Sequence, residues 1–435
     1  MKALALAIYN LLLPLVMLLM LPRQWAKMRR RGGYGANWRE RIARYDAVTV
    51  ARFADGCWWV HAVSVGEMLM ALKLIAAMRA SAVWTGPVAL TTTTSTGKAL
   101  AKERADAATL VLWTPLDLPW VATRAIRALH PAQIILVEAE VWPNLLVRAA
   151  RRRIPVRIVN ARLSARSESR FRAFRALIAP VFAMLDHVCV PDPADCGRFV
   201  ALGVPADRVS VTGAIKFDDA AESGPPPGMA MVEAVLARFP LLHGRRLVLA
   251  ASTHAGEESL IARAWLGLQM NFPDSAIVLV PRHYERGTDV VRDLRALGLH
   301  PGQRSRPPGH DDARADCLVV DSTGELRAWL AVASVVIMGK SFAGQYGGQN
   351  PAEAVAAGKP TIVGPRMDNF LPLVQGLVAA TGVCQVAGDA DLPAALANLL
   401  ADPAAATAMA TRGAAVLASH RGATRRTLDV LDSGV

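Results

Sequence analysis

The sequence predicts an α/β protein: two Rossmann-like, doubly wound domains in series behind an apolar N-terminal helix. Three observations carry this. From Cys57 to about Thr212, and again beyond residue 229, short β-branched runs alternate with helical patterns, as in parallel sheets covered on both faces. Between the two series lies Ala220–Gly228 (AAESGPPPG), the strongest linker signal in the chain. Ahead of the first series, residues 3–22 carry no charge, and roughly 20 such residues match a bilayer's thickness. The expected divisions are 1–46 for an anchor and its basic flank, 47–218 for the first domain, 219–228 for the linker and 229–435 for the second domain.

Composition narrows the function. A formal net charge of +13 calls for an acidic partner: nucleic acid, anionic lipid or a phosphorylated substrate. Aromatics make up only 6% and form no stripe with basic residues, which argues against a base-stacking platform and a nucleic-acid partner. Five cysteines, at 57, 189, 196, 317 and 384, have no redox or metal spacing and read as buried thiols in a reducing compartment.

The elements follow in order. Arg23, Lys27, Arg29, Arg30 and Arg31 come directly after the apolar run, so the positive-inside rule keeps the main body in the cytoplasm. Asn10 and Pro14 interrupt that run and leave a tilted or interfacial anchor open. Arg39, Arg41 and Arg44 extend a basic skirt suited to anionic membrane lipid. In the first domain, strands are expected at Trp58–Val63, Val88–Thr93, Thr109–Trp113, Gln133–Val137, Val156–Asn160 and His187–Pro191. Asp117 caps one intervening helix and Pro143 opens another. In the second, strands are expected at Leu247–Ala251, Ala276–Pro281, Leu318–Asp321, Val335–Met338 and Thr361–Val363. His300–Asp316, polar and rich in Pro and Gly, reads as a surface loop.

Candidate sites lie where strands give way to helices. Ser64-Val65-Gly66-Glu67 turns the first strand into a helix bearing Leu69, Leu72, Ile75 and Met78. Glu67 is either a first-turn residue complementing the helix dipole or a carboxylate raised toward general-base range by an apolar strand end. Thr91–Lys98 (TTTTSTGK) lacks the first Gly of a phosphate loop and the Ser/Thr after its Lys, so a helix cap is favoured over an anion site. Glu138 and Glu140 put two carboxylates at one strand end, where they must be paired, hydrated or used. Arg162 and Arg166 are candidate partners. With Arg148 and Arg151–Arg153 they make a basic region that is either a solvated face or a contact for phosphorylated lipid.

In the second domain, Ser252-Thr253-His254, Arg282-His283 and Asp321–Leu326 each end a strand. Gly339-Lys340-Ser341 followed by Gly344–Glu353 is the densest cluster. Its glycines would let backbone approach a ligand, Pro351 would start a helix favouring phosphate, and Glu353 could accept from ribose hydroxyls. Several such turns on one sheet edge favour a nucleotide site. Asp389-Ala390-Asp391 fits a short metal-binding pattern but sits where Asp caps a helix, so no metal site is assigned.

Taken in order, VSVGE (63–67), Glu138–Asn144, ARLS (161–164), TG-x-x-KFD (212–218), ASTH-x-GEE (251–258), PRH (281–283), GEL (324–326) and NP-x-E (350–353) resemble the lipid A 3-deoxy-D-manno-octulosonic acid (Kdo) transferase family of Gram-negative bacteria. The resemblance implies a GT-B fold, its two domains facing across a cleft. It implies inverting, metal-independent transfer of Kdo from CMP-Kdo to a phosphorylated lipid A precursor at the inner membrane, with no cofactor. By position, Glu67 resembles the family's general base, and one of Glu138 and Glu140 a second essential carboxylate. Arg282, Gly324, Glu325, Lys340, Asn350 and Glu353 resemble the donor site, with Ser252 and Ser341 beside them. Ser64, Gly66, Arg162 and Arg166 fall on the acceptor side. Four positions depart from the family's pattern: Gln349 for His, Ala165 for Glu, Tyr284 for Pro and Ala214 for Asn. Two alternatives stay open: a membrane-anchored GT-B enzyme using another nucleotide sugar such as a UDP-sugar, and a non-catalytic nucleotide-binding protein.

Overall fold

The structure, a computed structural model, describes residues 6–16, 18–19, 37–138, 141–163, 165–218 and 228–433. The chain divides into two compact units: Met1–Asp218 with Gly422–Val435, and Asp219–Arg421. The expectation of one domain over 229–435 therefore fails at its end, because the last helix returns to the first unit.

Each unit is built on a seven-stranded sheet in which every pairing is parallel. In unit 1 the strands are β1 (Cys57–His61), β2 (Val88–Thr92), β3 (Thr109–Trp113), β4 (Pro131–Val137), β5 (Val156–Val159), β6 (His187–Val190) and β7 (Val209–Val211), in the order 3-2-1-4-5-6-7. In unit 2 they are β8 (Arg246–Thr253), β9 (Ser275–Pro281), β10 (Pro301–Gln303), β11 (Cys317–Val319), β12 (Ala333–Met338), β13 (Thr361–Val363) and β14 (Cys384–Gln385), in the order 10-11-9-8-12-13-14. Most strands are buried along almost their whole length, as parallel strands covered by helices must be. Strand order reverses between β1 and β4 in unit 1 and between β8 and β12 in unit 2. Beyond the carboxyl ends of strands at such a switch point, loops diverge to opposite faces and leave a crevice.

Several expectations need correction. The supposed loop 300–316 contains β10 and a short 3-10 helix, His310–Arg314. β7, β10 and β14 were missed because two or three residues at or near a sheet edge need no apolar run; Pro301, lacking an N–H, suits an edge strand. The helix Val65–Ala80 buries Met68, Met70, Ala71, Leu74, Ile75 and Met78, whereas Leu69 is 42% exposed. That helix is apolar on several faces, so the sheet, not the pattern, selects the buried one. Asp117 does not cap the helix after it, Pro119–Leu129, whose N-cap is Leu118. Its carboxylate accepts from the backbone N–H groups of Asn144 and Leu145 (2.9 and 2.8 Å), capping Pro143–Ala150, and from the Tyr9 hydroxyl at 3.0 Å. Burial pushes Asp117 up to about 6.

Residues 6–16 and 18–19 are helical, and among the described residues no helix is long and apolar enough to cross a membrane. Positions 1–5, 17 and 20–36 of the expected anchor, and 219–227 of the expected linker, lie outside the described residues. The C-terminal helix Ala423–Asp432 is fastened at both ends. Asp218 accepts from Gly422 N and Thr424 N (2.6 and 2.9 Å), and the buried Arg157 donates to Leu431 O at 2.6 Å while pairing with Gln133 and Asp186.

Candidate functional site

In unit 1 the turn after β1 is a helix N-terminus. Ser64 Oγ accepts from Glu67 N at 3.2 Å, while the Glu67 carboxylate accepts from Val63 N (2.8 Å) and Ser64 N (3.2 Å). This is a capping box, which satisfies backbone donors that the helix cannot. Glu67 is buried, yet Ser64, Val65 and Gly66 beside it are exposed. Each carboxylate oxygen accepts one N–H and keeps a second lone pair. A Cβ placed on Gly66 would meet only Ser64 Oγ, at 3.8 Å, so internal packing does not require glycine there.

The hydroxyls of Thr91, Thr92 and Thr94 are occupied by the fold. Thr94 Oγ1 donates to Val63 O at 2.7 Å, bracing the Glu67 turn, and accepts from Gly97 N as an N-cap. Lys98 is buried, paired with the buried Glu40 at 3.0 Å and stacked 4.4 Å over Trp113; Glu40 also accepts from Trp113 N. The cap reading of this stretch therefore holds.

Across the switch point, Glu138 follows β4 in left-handed backbone (φ 65°), and Asn160 follows β5 in the same region (φ 52°). Such conformations cost of order 1–3 kcal/mol in non-glycine residues and concentrate at functional sites. Arg162, half-buried, has a buried Nε without a hydrogen-bond partner among the described residues. Lys216, beyond β7, lies within electrostatic reach of Arg162 and Glu138. Its pKa is lowered, first by desolvation and then by Arg162, while Glu138 opposes. Lys216 stands within the KFD motif, where no local signal in the sequence assigns it a role. Glu140 and the side chain of Arg166 lie outside the described residues.

Unit 2 repeats the arrangement with cations in place of carboxylates. Ser252 near the end of β8 (φ 54°) and Lys340 after β12 (φ 61°) are both left-handed and flank the switch point. His254 follows β8 and His283 follows β9, their rings edge-to-face at 5.8 Å. The His254 pKa is lowered by desolvation, then by the charges of Lys340, His283 and Arg286, so these groups share one field. His254 Nδ1 is buried without a partner among the described residues, and Arg282 is exposed. Arg286 is neutralised by a 2.7 Å pair with buried Glu258. Lys340 and Arg282, with the imidazoles of His254 and His283, thus gather at the sheet's carboxyl edge. Both histidines stood in motifs already singled out, but only the sheet order shows that they meet.

Other expected donor contacts are altered. Ser341 is fully buried; its hydroxyl donates to Met338 O (2.9 Å) and accepts from Gly364 N (3.0 Å), so it is not available to a ligand. The N–H groups of Lys340, Ser341 and Phe342 all point at Glu257 rather than into open space. Cβ atoms on Gly347 and Gly348 would strike Asn369 and Met367, so internal packing explains those glycines. The helix after Pro351 is only Ala352–Ala356, too short for much dipole, and Asn350 Oδ1 caps it through Ala352 N. Glu325 is paired with Arg304, next to Gly324 (φ 83°); Glu353 is half-buried. Asp389 accepts from Ala343 N, 46 residues away, and Asp391 from Gly388 N; Asp391 is the N-cap residue of Leu392–Ala401 but its side chain does not cap that helix.

Comparison with known proteins adds chemistry to this geometry. Residues 36–219 match the family described as 3-Deoxy-D-manno-octulosonic-acid transferase (kdotransferase). The chain is 37% identical to a 3-deoxy-D-manno-octulosonic acid transferase of Bordetella pertussis over 97% of its own length and 96% of the relative's. It is 31% identical to one of Haemophilus influenzae, over 86% of each. A crystal structure of UDP-GlcNAc 2-epimerase from Neisseria meningitidis superposes with a TM-score of 0.54 at 16% identity, covering 87% of this chain and all of that one. That likeness concerns fold alone and matches two GT-B-like parallel-sheet units.

Proposed function

The chain belongs to the 3-deoxy-D-manno-octulosonic acid transferase family of glycosyltransferases, and on that footing we propose that it moves Kdo from CMP-Kdo onto a phosphorylated lipid A precursor. The observation that carries the mechanism is Glu67, a fixed carboxylate on an otherwise exposed turn at the unit 1 switch point. Its free lone pairs accept the proton of an acceptor sugar hydroxyl as that oxygen attacks the anomeric carbon of Kdo. The bond to CMP breaks, and its electrons leave with the phosphate. Lys340 and Arg282 supply positive charge where that negative charge develops, a role needing no metal. Arg162 and Lys216 serve the phosphate groups of the acceptor.

The N-terminal segment holds the enzyme at the inner membrane, its catalytic units on the cytoplasmic side. Leu11, Leu15, Leu18 and Leu19 are exposed, while Tyr9 and Asn10 hydrogen-bond to Asp117 and Asn144. These bonds support a helix lying in the interface, with the basic stretch from Arg23 to Arg44 on anionic lipid.

The test is transfer of labelled Kdo, with CMP-Kdo generated in situ, to a lipid A precursor in detergent with EDTA present. Product from the wild type supports the donor, the acceptor and metal independence. Product only from another nucleotide sugar, or only without EDTA, removes the corresponding part. A second expectation concerns Gly66. Gly66→Ala should leave stability unchanged or raise it by less than about 1 kcal/mol, as Ala is the better helix former. If acceptor packs on this turn, the same change raises acceptor KM about tenfold, or 1.4 kcal/mol. An unchanged KM would separate Gly66 from the acceptor.

A further inference from the structure

The carboxylate of Glu257 is fully buried, and the reaction above gives it no part. Glu257 opens the helix Glu257–Leu266, but its side chain turns to the ends of two strands. Oε2 accepts from His254 N, in the turn after β8, and from Lys340 N, in the turn after β12, both at 2.7 Å. Oε1 accepts from Ser341 N and Phe342 N, both at 2.9 Å. Three of these four donors lie 83 to 85 residues away in sequence. The two turns approach so closely that a Cβ on Gly339 would lie 2.5 Å from Ser252 O and 2.9 Å from Glu257 Oε2. Successive N–H groups of this kind form an anion-binding nest, and here the protein's own carboxylate fills it. The arrangement holds Lys340 in left-handed backbone, which an unsupported lysine would leave.

We propose that Glu257 is a positioning residue of the donor site: by tying the turn after β8 to the turn after β12, it sets the spacing and direction of His254 and Lys340. A glutamine replaces it only in part. Its NH2 group would face N–H donors and forfeit either the bonds from His254 N and Lys340 N or those from Ser341 N and Phe342 N.

The proposal rests on the assignment of Lys340 to the donor, and the test separates the two. Wild-type turnover identifies the nucleotide sugar used. With that donor, kcat/KM is measured for wild type, Glu257→Gln, Lys340→Ala and the double variant, with acceptor KM as control. Each single change is expected to lower donor kcat/KM by at least about thirtyfold, with the double no more than about threefold below the worse single, because both act through one group. Acceptor KM should stay within about twofold. Multiplying losses, or an acceptor KM rising in step, would assign Glu257 to general stability and overturn the proposal. Should Glu257→Gln fail to fold, hydrogen exchange on the wild type decides. The amides of His254, Lys340, Ser341 and Phe342 should be slow and should gain protection together when the nucleotide of the donor identified by turnover is added. Fast exchange, or no response to that nucleotide, overturns it.

Discussion

Glu67→Gln is expected to lower turnover by at least about a hundredfold while the protein remains folded. The two functions of this side chain separate in that variant. As a capping residue it accepts from Val63 N and Ser64 N through separate oxygens; glutamine, an accepted partner in a capping box, keeps one of these bonds and gives up the other. As a base it needs a carboxylate, which glutamine lacks. The melting temperature should therefore stay within about 3 °C of wild type. Glu67→Ala should lose activity too, and in addition about 1 kcal/mol of stability through the lost cap. Rates from labelled-Kdo transfer, beside thermal melts of both variants, give the answer. Near-wild-type turnover of Glu67→Gln would leave Glu67 as a cap alone and move the search for the base to Glu138 or Glu140.

The second large effect is on stability. Lys98→Met should destabilise unit 1 by about 3 kcal/mol, roughly 6–12 °C in melting temperature, because Glu40 would remain buried without its cation. Trp113 N would still donate to Glu40, but a neutral amide does not replace an ammonium. Restoring neutrality with Glu40→Gln in the same chain should recover more than half of the loss, since the two positions act as a pair. Below the transition, donor KM should be unchanged. A stable Lys98→Met protein with weakened donor binding would instead make Lys98 a phosphate ligand and refute the cap interpretation of Thr91–Lys98.

The contrast between Glu67 and Lys98 shows what a linear motif can carry. Both stand beside small and hydroxyl residues after a strand, and both invite a catalytic role. The location of the Ser64–Glu67 turn was legible because its determinants are local: an apolar run that breaks, a capping serine and a glutamate three residues on. The fate of Lys98 was not, because its partner lies 58 residues earlier. The same holds for Asp117, whose capped helix begins 26 residues downstream and whose third partner, Tyr9, is 108 residues away.

By itself the sequence determined the parallel α/β layering, the positions along the chain of nearly all long strands and the strand-end turns where chemistry collects, for periodicity and turn residues act over a few positions. Its ordered motifs also pointed to the family. The tertiary structure decided which of those turns share a switch point and which glutamates are structural. It also decided that the N–H groups after β12 are already occupied, and that the last helix returns to the first unit. The physical reason is range. A hydrophobic period is written along the chain, whereas a buried charge takes whatever donor the sheet order brings within 3 Å, and that order is a property of the whole fold.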